Sequence, residues 1–169
     1  MWVVSRNPYI QNDLIRNPKR RDALIGALKH RLREVERRLN GNQVAASLLE
    51  NTRKAVAEFA EWFPVQVEMR RKVSKVLGKV TREDNIDFSG LARVSHATDA
   101  TDWRVELPLV VISPDTEQET AEIVAACIEL GLTIIPRGGG TGYTGGAIPL
   151  HEHTAVSYTH LTLPTTRLV

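Results

Sequence analysis

Six of the nine residues from Gly138 to Gly146 are glycine, and the run follows directly on Pro136-Arg137. Successive residues without side chains can adopt positive φ and turn consecutive N–H groups toward one point, which makes a nest for an anion. The missing Cβ atoms also let the backbone approach a phosphate closely. Arg137 adds a fixed positive charge with planar donors, and Thr141 and Thr144 add hydroxyls. This set offers donors and no carboxylate, so it suits a diphosphate better than a metal ion.

The flanking elements are those that seat such a loop. Leu109-Val110-Val111-Ile112-Ser113 is a short β-branched run of the kind found in a strand buried on both faces. Asp115 or Thr116 then offers an N-cap, and Glu117 and Glu119 favour the positive end of a helix. Thr120, Ile123, Cys127 and Leu130 share one helical stripe, and Gly131 closes it. Leu132-Thr133-Ile134-Ile135 is a second strand, so the segment is a βαβ unit with a parallel, right-handed crossover. The glycine loop leaves the carboxyl end of that second strand, where ligands of α/β sheets gather. "HTAV", at His153 to Val156, reads as the approach to a further strand.

Two familiar glycine motifs fit less well. Gly140-x-Gly142-x-x-Gly145 matches the dinucleotide fingerprint formally, but that fingerprint must open a helix. Here Gly146-Ala147-Ile148-Pro149-Leu150 follows, with a proline and no helical stripe. No Gly-Lys-Ser/Thr is present at the loop, so the phosphate-binding P-loop pattern fails.

The residues "PDTEQETAEIVAACIELGLTIIPRGGGTGYTGGAIPL" resemble the FAD-binding lobe of the vanillyl-alcohol oxidase / p-cresol methylhydroxylase family, which includes glycolate oxidase FAD subunits and D-lactate dehydrogenases. Order and spacing agree across two strands, an acidic helix start, P-R-G-G-G-T and a trailing G-G. The upstream "SHATDATDWRVELPLVVISP" resembles the approach to that lobe, so the likeness covers roughly residues 88 to 156. It implies FAD with its pyrophosphate on Arg137, Gly138, Gly139, Gly140, Thr141 and Gly142, with Gly145 and Gly146 next. Some members attach FAD through a histidine at the position of Thr141, so threonine there implies noncovalent FAD. No catalytic residue of the family has a counterpart here. The implied function is FAD binding within a dehydrogenase for a small 2-hydroxy acid such as D-lactate, glycolate or 2-hydroxyglutarate. A substrate and an electron acceptor would be the parent enzyme's partners, and iron–sulfur centres could lie in its remaining part. The chain itself reads as a fragment lacking activity.

Charge divides the chain. Residues 1–82 hold 18 Lys/Arg against 8 Asp/Glu, whereas residues 83–156 hold 3 against 12. The boundary therefore falls near Thr81. The expected fold is an α/β class, an incomplete α+β FAD-binding lobe at 83–156, preceded by an all-α extension at 1–82. In that extension Asn17-Pro18 caps a helix carrying Leu24, Leu28, Leu32, Val35 and Leu39 on one stripe, with Asn40-Gly41 as its stop. A second helix carries Ala45, Leu48, Thr52, Val56 and Phe59 and ends before Pro64; a third, basic one carries Met69, Val73, Val76 and Val80. This segment resembles the N-terminal extension of large bacterial FAD-linked oxidoreductases. The alternative reading is a non-catalytic binding module whose basic hairpin recognises a polyanion or a protein. Few aromatics interleave its charges, so a solvated face is expected rather than a nucleic-acid site, and peripheral contact with an anionic membrane stays open.

The remaining features have plainer readings. His151-Glu152-His153 lacks further ligands at metal spacing and reads as a solvated connection. His96, near Asp99 and Asp102, reads as part of a polar loop, and Cys127 as a small buried hydrophobe. One cysteine, no apolar run of membrane length and no signal-like start lead to a cytoplasmic expectation. Ser157 to Val169, "SYTHLTLPTTRLV", resembles a translated adapter sequence and reads as foreign to the fold.

Overall fold

The structure, a computed structural model, describes residues 2–101 and 103–158. Its contacts divide the chain into two compact units, Met1–Met69 and Arg70–Val169. That division lies upstream of the change in charge near Thr81.

The first unit is helical. A short α1 (Trp2–Ser5) precedes α2 (Pro8–Arg16), whose cap is Asn7: its Oδ1 accepts from the N–H groups of Tyr9 and Ile10, both at 3.1 Å. The stripe pattern did not reveal these two helices, although Asn7-Pro8 repeats the Asn17-Pro18 signature. Asn17 ends α2 and starts α3 (Pro18–Glu36), accepting from the Arg20 N–H at 3.3 Å. Proline follows each asparagine at the first helical position, where its missing N–H would be unpaired anyway. After α3 the chain reverses through Asn40 and Gly41, both at positive φ.

The core of this unit joins Val4, Leu14, Ile15 and Phe63, with Ile10, Leu24, Ile25, Phe59 and Trp62 packed against them. Phe59 and Trp62 each meet Phe63 edge to face at 5.1 Å. The apolar stripe of α3 is only half covered, and Val35 is 50% exposed.

The two helices expected on either side of Pro64 are one: α4 (Gln43–Leu77) runs through it. A mid-helix proline loses a hydrogen bond and crowds the preceding turn, at a cost of about 3 kcal/mol. What outweighs it is a buried stripe at helical spacing, Phe63, Gln66, Arg70, Val73 and Leu77, which needs a continuous helix across the proline.

The second unit is a small mixed sheet with helices. Its elements are β1 (Ile86–Asp87), α5 (Gly90–Ser95), β2 (Val110–Ile112), α6 (Glu117–Glu129), β3 (Thr133–Arg137) and β4 (Thr154–Tyr158). The strand order is β1-β2-β4-β3, with β1 antiparallel to β2 and the other pairs parallel. The βαβ unit β2–α6–β3 is therefore parallel as expected, but β4 lies between its two strands. Val110, Val111 and Ile112 are all buried, beside Ala155 and Val156 of β4 and with Ile123 and Cys127 of α6. β1 and α5 were not foreseen, because two residues of strand and six of helix carry no readable period.

α6 is fixed at both ends. Thr116 Oγ1 accepts from the Glu119 N–H at 3.1 Å, and the Glu119 carboxylate accepts from the Asp115 N–H at 2.5 Å. At the other end Gly131, at φ +68°, donates to Ile128 O while Leu132 donates to Cys127 O at 2.9 Å. That is the paired bond pattern of a Schellman stop, which needs the left-handed conformation. Asp115 also accepts from Arg82 Nε and Asn85 Nδ2, each at 2.9 Å, which ties the chain before β1 to the start of α6.

Ser157 and Tyr158 complete β4, with Ser157 opposite both Ile112 and Pro136. The rest of the segment expected to be foreign lies outside the described residues.

Gly131→Ala should lower stability by about 1 kcal/mol, the cost of a Cβ in the left-handed region. Urea unfolding of both forms measures this, and an unchanged midpoint would contradict the stop assigned to Gly131.

Candidate functional site

β3 carries the chain to the carboxyl edge of the sheet, and the loop Gly138–Gly146 begins there. Gly140 and Gly145 take φ of +67° and +73°. Among the described residues, no backbone or side-chain acceptor faces the N–H groups from Gly138 to Gly146. The first paired amide after the loop is that of Ile148, on Gly145 O at 3.3 Å. A backbone that leaves so many donors uncommitted is poised for an acceptor from outside.

No helix follows the loop; the chain passes through buried Ile148 and Pro149 to β4. The loop thus does not open a helix, as the proline at 149 implied.

Arg137 lies against the loop. Its Nη1 donates to the backbone carbonyl of Thr98 at 2.7 Å, and the guanidinium lies over Gly140. A Cβ on Gly140 would sit 2.1 Å from Arg137 Nη2 and displace that side chain, and the positive φ favours glycine there. A Cβ on Gly138 or Gly142 would meet nothing within 4 Å, which leaves their glycines without an internal explanation. Thr141 and Thr144 are exposed, and Tyr143 is 82% exposed.

Asp99 is buried, and its Oδ1 accepts from the Thr101 N–H at 2.9 Å and from Thr101 Oγ1 at 2.5 Å. Bonds from the Thr101 hydroxyl and amide hold the carboxyl below its ordinary value, and the Ala147 N–H adds to this. Sequence reasoning had treated this stretch as a polar loop. The readable signal was Asp-x-Thr, the pattern of an aspartate turn.

Arg93 was also missed. It is buried, donates from Nε to Pro108 O at 2.6 Å, and burial pulls its pKa down to about 10 against the pull of Glu106 and Glu152. It holds the chain just before β2. His96 caps α5, with Nδ1 2.8 Å from Ala92 O. Burial lowers its pKa, the Ala92 carbonyl opposes this, and Arg137 lowers it further. Asp102, its other expected neighbour, lies outside the described residues. Burial pushes the Cys127 thiol up to about 11, in keeping with a small buried hydrophobe. Among the described residues, no three His, Cys, Asp or Glu side chains gather to hold a metal, and no helix is long and apolar enough to cross a membrane.

With this geometry in view, a sequence family described as "FAD binding domain" matches residues 108–163, and one described as "Protein of unknown function (DUF3683)" matches residues 1–61. The chain is 31% identical over 91 residues to glycolate oxidase subunit GlcD of Bacillus subtilis, covering 54% of this chain and 19% of the relative. It is 40% identical over 45 residues to the Escherichia coli K12 subunit of the same name, covering 27% and 9%. It is 33% identical over 48 residues to the mitochondrial D-2-hydroxyglutarate dehydrogenase of Rattus norvegicus, covering 28% and 9%. Among solved structures, alkyldihydroxyacetonephosphate synthase matches with a TM-score of 0.46 and 22% identity over 52% of this chain and 20% of that one. The chain thus spans 19% or less of the length of the curated relatives named. The second unit carries a flavin-binding α/β segment. Residues 108–163 match an FAD-binding domain, and FAD is the cofactor that match supports.

Because Asp99 has a lowered folded pKa, its stabilisation is complete above the unfolded value near 3.8 and is lost as pH falls through the folded one. The stability difference between wild type and Asp99→Asn should therefore shrink as pH falls from about 5 to about 2.5. Urea midpoints across that range measure it; parallel curves would show that the carboxylate is not engaged.

Proposed function

We propose that the glycine loop grips the pyrophosphate of FAD within an FAD-linked dehydrogenase that oxidises a small 2-hydroxy acid such as D-lactate, glycolate or 2-hydroxyglutarate. The observation that carries the cofactor part is the run of uncommitted amides from Gly138 to Gly146 at the carboxyl end of parallel strands. Residues 83–156 are then the first part of the lobe that holds FAD. The Gly138, Gly139, Gly140, Thr141 and Gly142 amides bind the diphosphate oxygens, with Gly145 and Gly146 closing the cradle. The substrate class is supported by the relatives, whose names specify glycolate and D-2-hydroxyglutarate.

Bound there, FAD would supply two-electron redox chemistry, and the chain contributes binding and orientation. The amides suit this role physically. They are dipoles already fixed by the loop, so little reorganisation is spent when a dianionic group arrives. Thr141 has no imidazole nitrogen to form the linkage that a histidine makes, so the cofactor is held noncovalently.

Two substitutions separate fold from binding. Gly140→Ala should destabilise the protein and weaken FAD together, since its Cβ meets Arg137. Gly138→Ala should leave stability intact and still weaken FAD about tenfold or more, because its Cβ enters the cradle and not the protein. Quenching of flavin fluorescence measures affinity and thermal unfolding measures stability. Undiminished FAD affinity in Gly138→Ala would count against close approach of the diphosphate. Acid precipitation should release all the flavin; yellow protein in the pellet would refute noncovalent attachment.

A further inference from the structure

A second stretch of chain is tied to the glycine loop at both of its ends. Thr98 O accepts from Arg137 Nη1 at 2.7 Å, at the loop's entry, and the Glu106 N–H donates to Pro149 O at 3.1 Å, three residues past the loop. Between these bonds residues 98–101 and 103–106 are neither helix nor strand, so the stretch is an irregular strap. Trp103, within the strap, is 73% exposed. We propose that the strap is a wall of the FAD site and that Trp103 stacks on one of the cofactor's planar rings while the loop amides hold the diphosphate. This rests on the reading of the loop as the FAD pyrophosphate site.

Folding does not account for this tryptophan. Among the described residues its ring meets no aromatic partner and its indole N–H no acceptor. A tryptophan left in water keeps a large apolar area that proteins ordinarily bury, so an exposed one beside a polar cradle marks a contact surface. Chain length bounds its position. Three residues separate it from Glu106, so its Cα lies within about 11 Å of the Glu106 Cα. The bond from Glu106 to Pro149 then keeps the ring near the chain that leaves the loop.

The ligand's chemistry calls for such a ring. Backbone amides recognise the diphosphate of a dinucleotide, which leaves its two heteroaromatic ring systems to be held by other groups. An indole face takes a planar ring by dispersion and offset stacking, without needing a particular pattern of donors and acceptors. Arg137 is not free for this role, since its guanidinium is bonded to Thr98 O and lies against Gly140.

The test uses the whole protein as wild type, Trp103→Leu, Trp103→Phe, Arg104→Gln and Tyr143→Leu. Flavin fluorescence measures FAD affinity, titration calorimetry measures inorganic pyrophosphate affinity, and thermal unfolding measures stability. Trp103→Leu should weaken FAD about tenfold while pyrophosphate binding and the unfolding midpoint stay as in wild type. Trp103→Phe, which keeps a ring, should recover most of the loss. ADP and FMN, titrated separately, identify the ring in contact, because only the half that stacks on Trp103 loses affinity in Trp103→Leu. Equal losses for FAD and pyrophosphate would overturn the stacking, since they would show a disturbed cradle. So would a loss confined to Arg104→Gln or Tyr143→Leu, or ADP and FMN both binding Trp103→Leu as they bind wild type. A Trp103→Leu protein that does not fold would overturn it as well, because the ring would then belong to the fold. Wild-type FAD affinity in Trp103→Leu would refute the stacking alone, whereas wild type that binds no FAD would refute the reading of the loop and the stacking with it.

Discussion

A loop whose amides have no partners among the described residues must be held open by its surroundings, and the second unit is arranged around that constraint. Nine successive N–H groups, Gly138 to Gly146, face no acceptor among the described residues. Collapsing the loop onto itself would satisfy some of them and destroy the cradle. Its shape is therefore imposed from the flanks, by β3 at the entry, by Ile148 and Pro149 buried at the exit, and by Arg137 bonded to the Thr98 carbonyl. The solvent-exposed apex stays available to an anion.

The sheet gives those flanks their rigidity. β4 pairs with both β2 and β3, so the strand that follows the loop also locks the strand that precedes it. Thr133↔Thr154 through Arg137↔Tyr158 runs in parallel register, so the chain after the loop returns along the sheet to the other end before β4 begins. α6 supports this with a cap at Thr116 and a stop at Gly131, each satisfying backbone groups that a helix end leaves unpaired. Arg93, buried against Pro108 O, does the same for the irregular chain before β2. These polar contacts fix conformation more than they add stability, because each one also had water as a partner in the unfolded chain.

The helical unit follows another logic. Its core is small, centred on Phe63 with aromatic neighbours at 5.1 Å, and α3 contributes only half-buried side chains. The helix through Pro64 shows that a single strong local signal can lose to burial. About 3 kcal/mol against proline is outweighed when residues on both sides of it share one buried stripe.

The glycine loop and its flanking elements were readable from residue types alone, because their signals are local. Glycines without Cβ atoms, a strand before them, a proline after them and a capped acidic helix upstream each act over a few residues, and the matched FAD-binding segment lies where those signals placed it. The single cysteine on an apolar stripe was legible as core for the same reason. What tertiary structure decided is non-local. Arg137 donates to Thr98, 39 positions away, while its guanidinium lies against Gly140, because the fold delivers a carbonyl that the sequence does not announce. β4 enters between β2 and β3, the chain continues helical through Pro64, and Asp99 is buried in a turn with Thr101. None of these has a period or a spacing in the sequence, since each depends on which distant groups the packing brings within hydrogen-bonding distance.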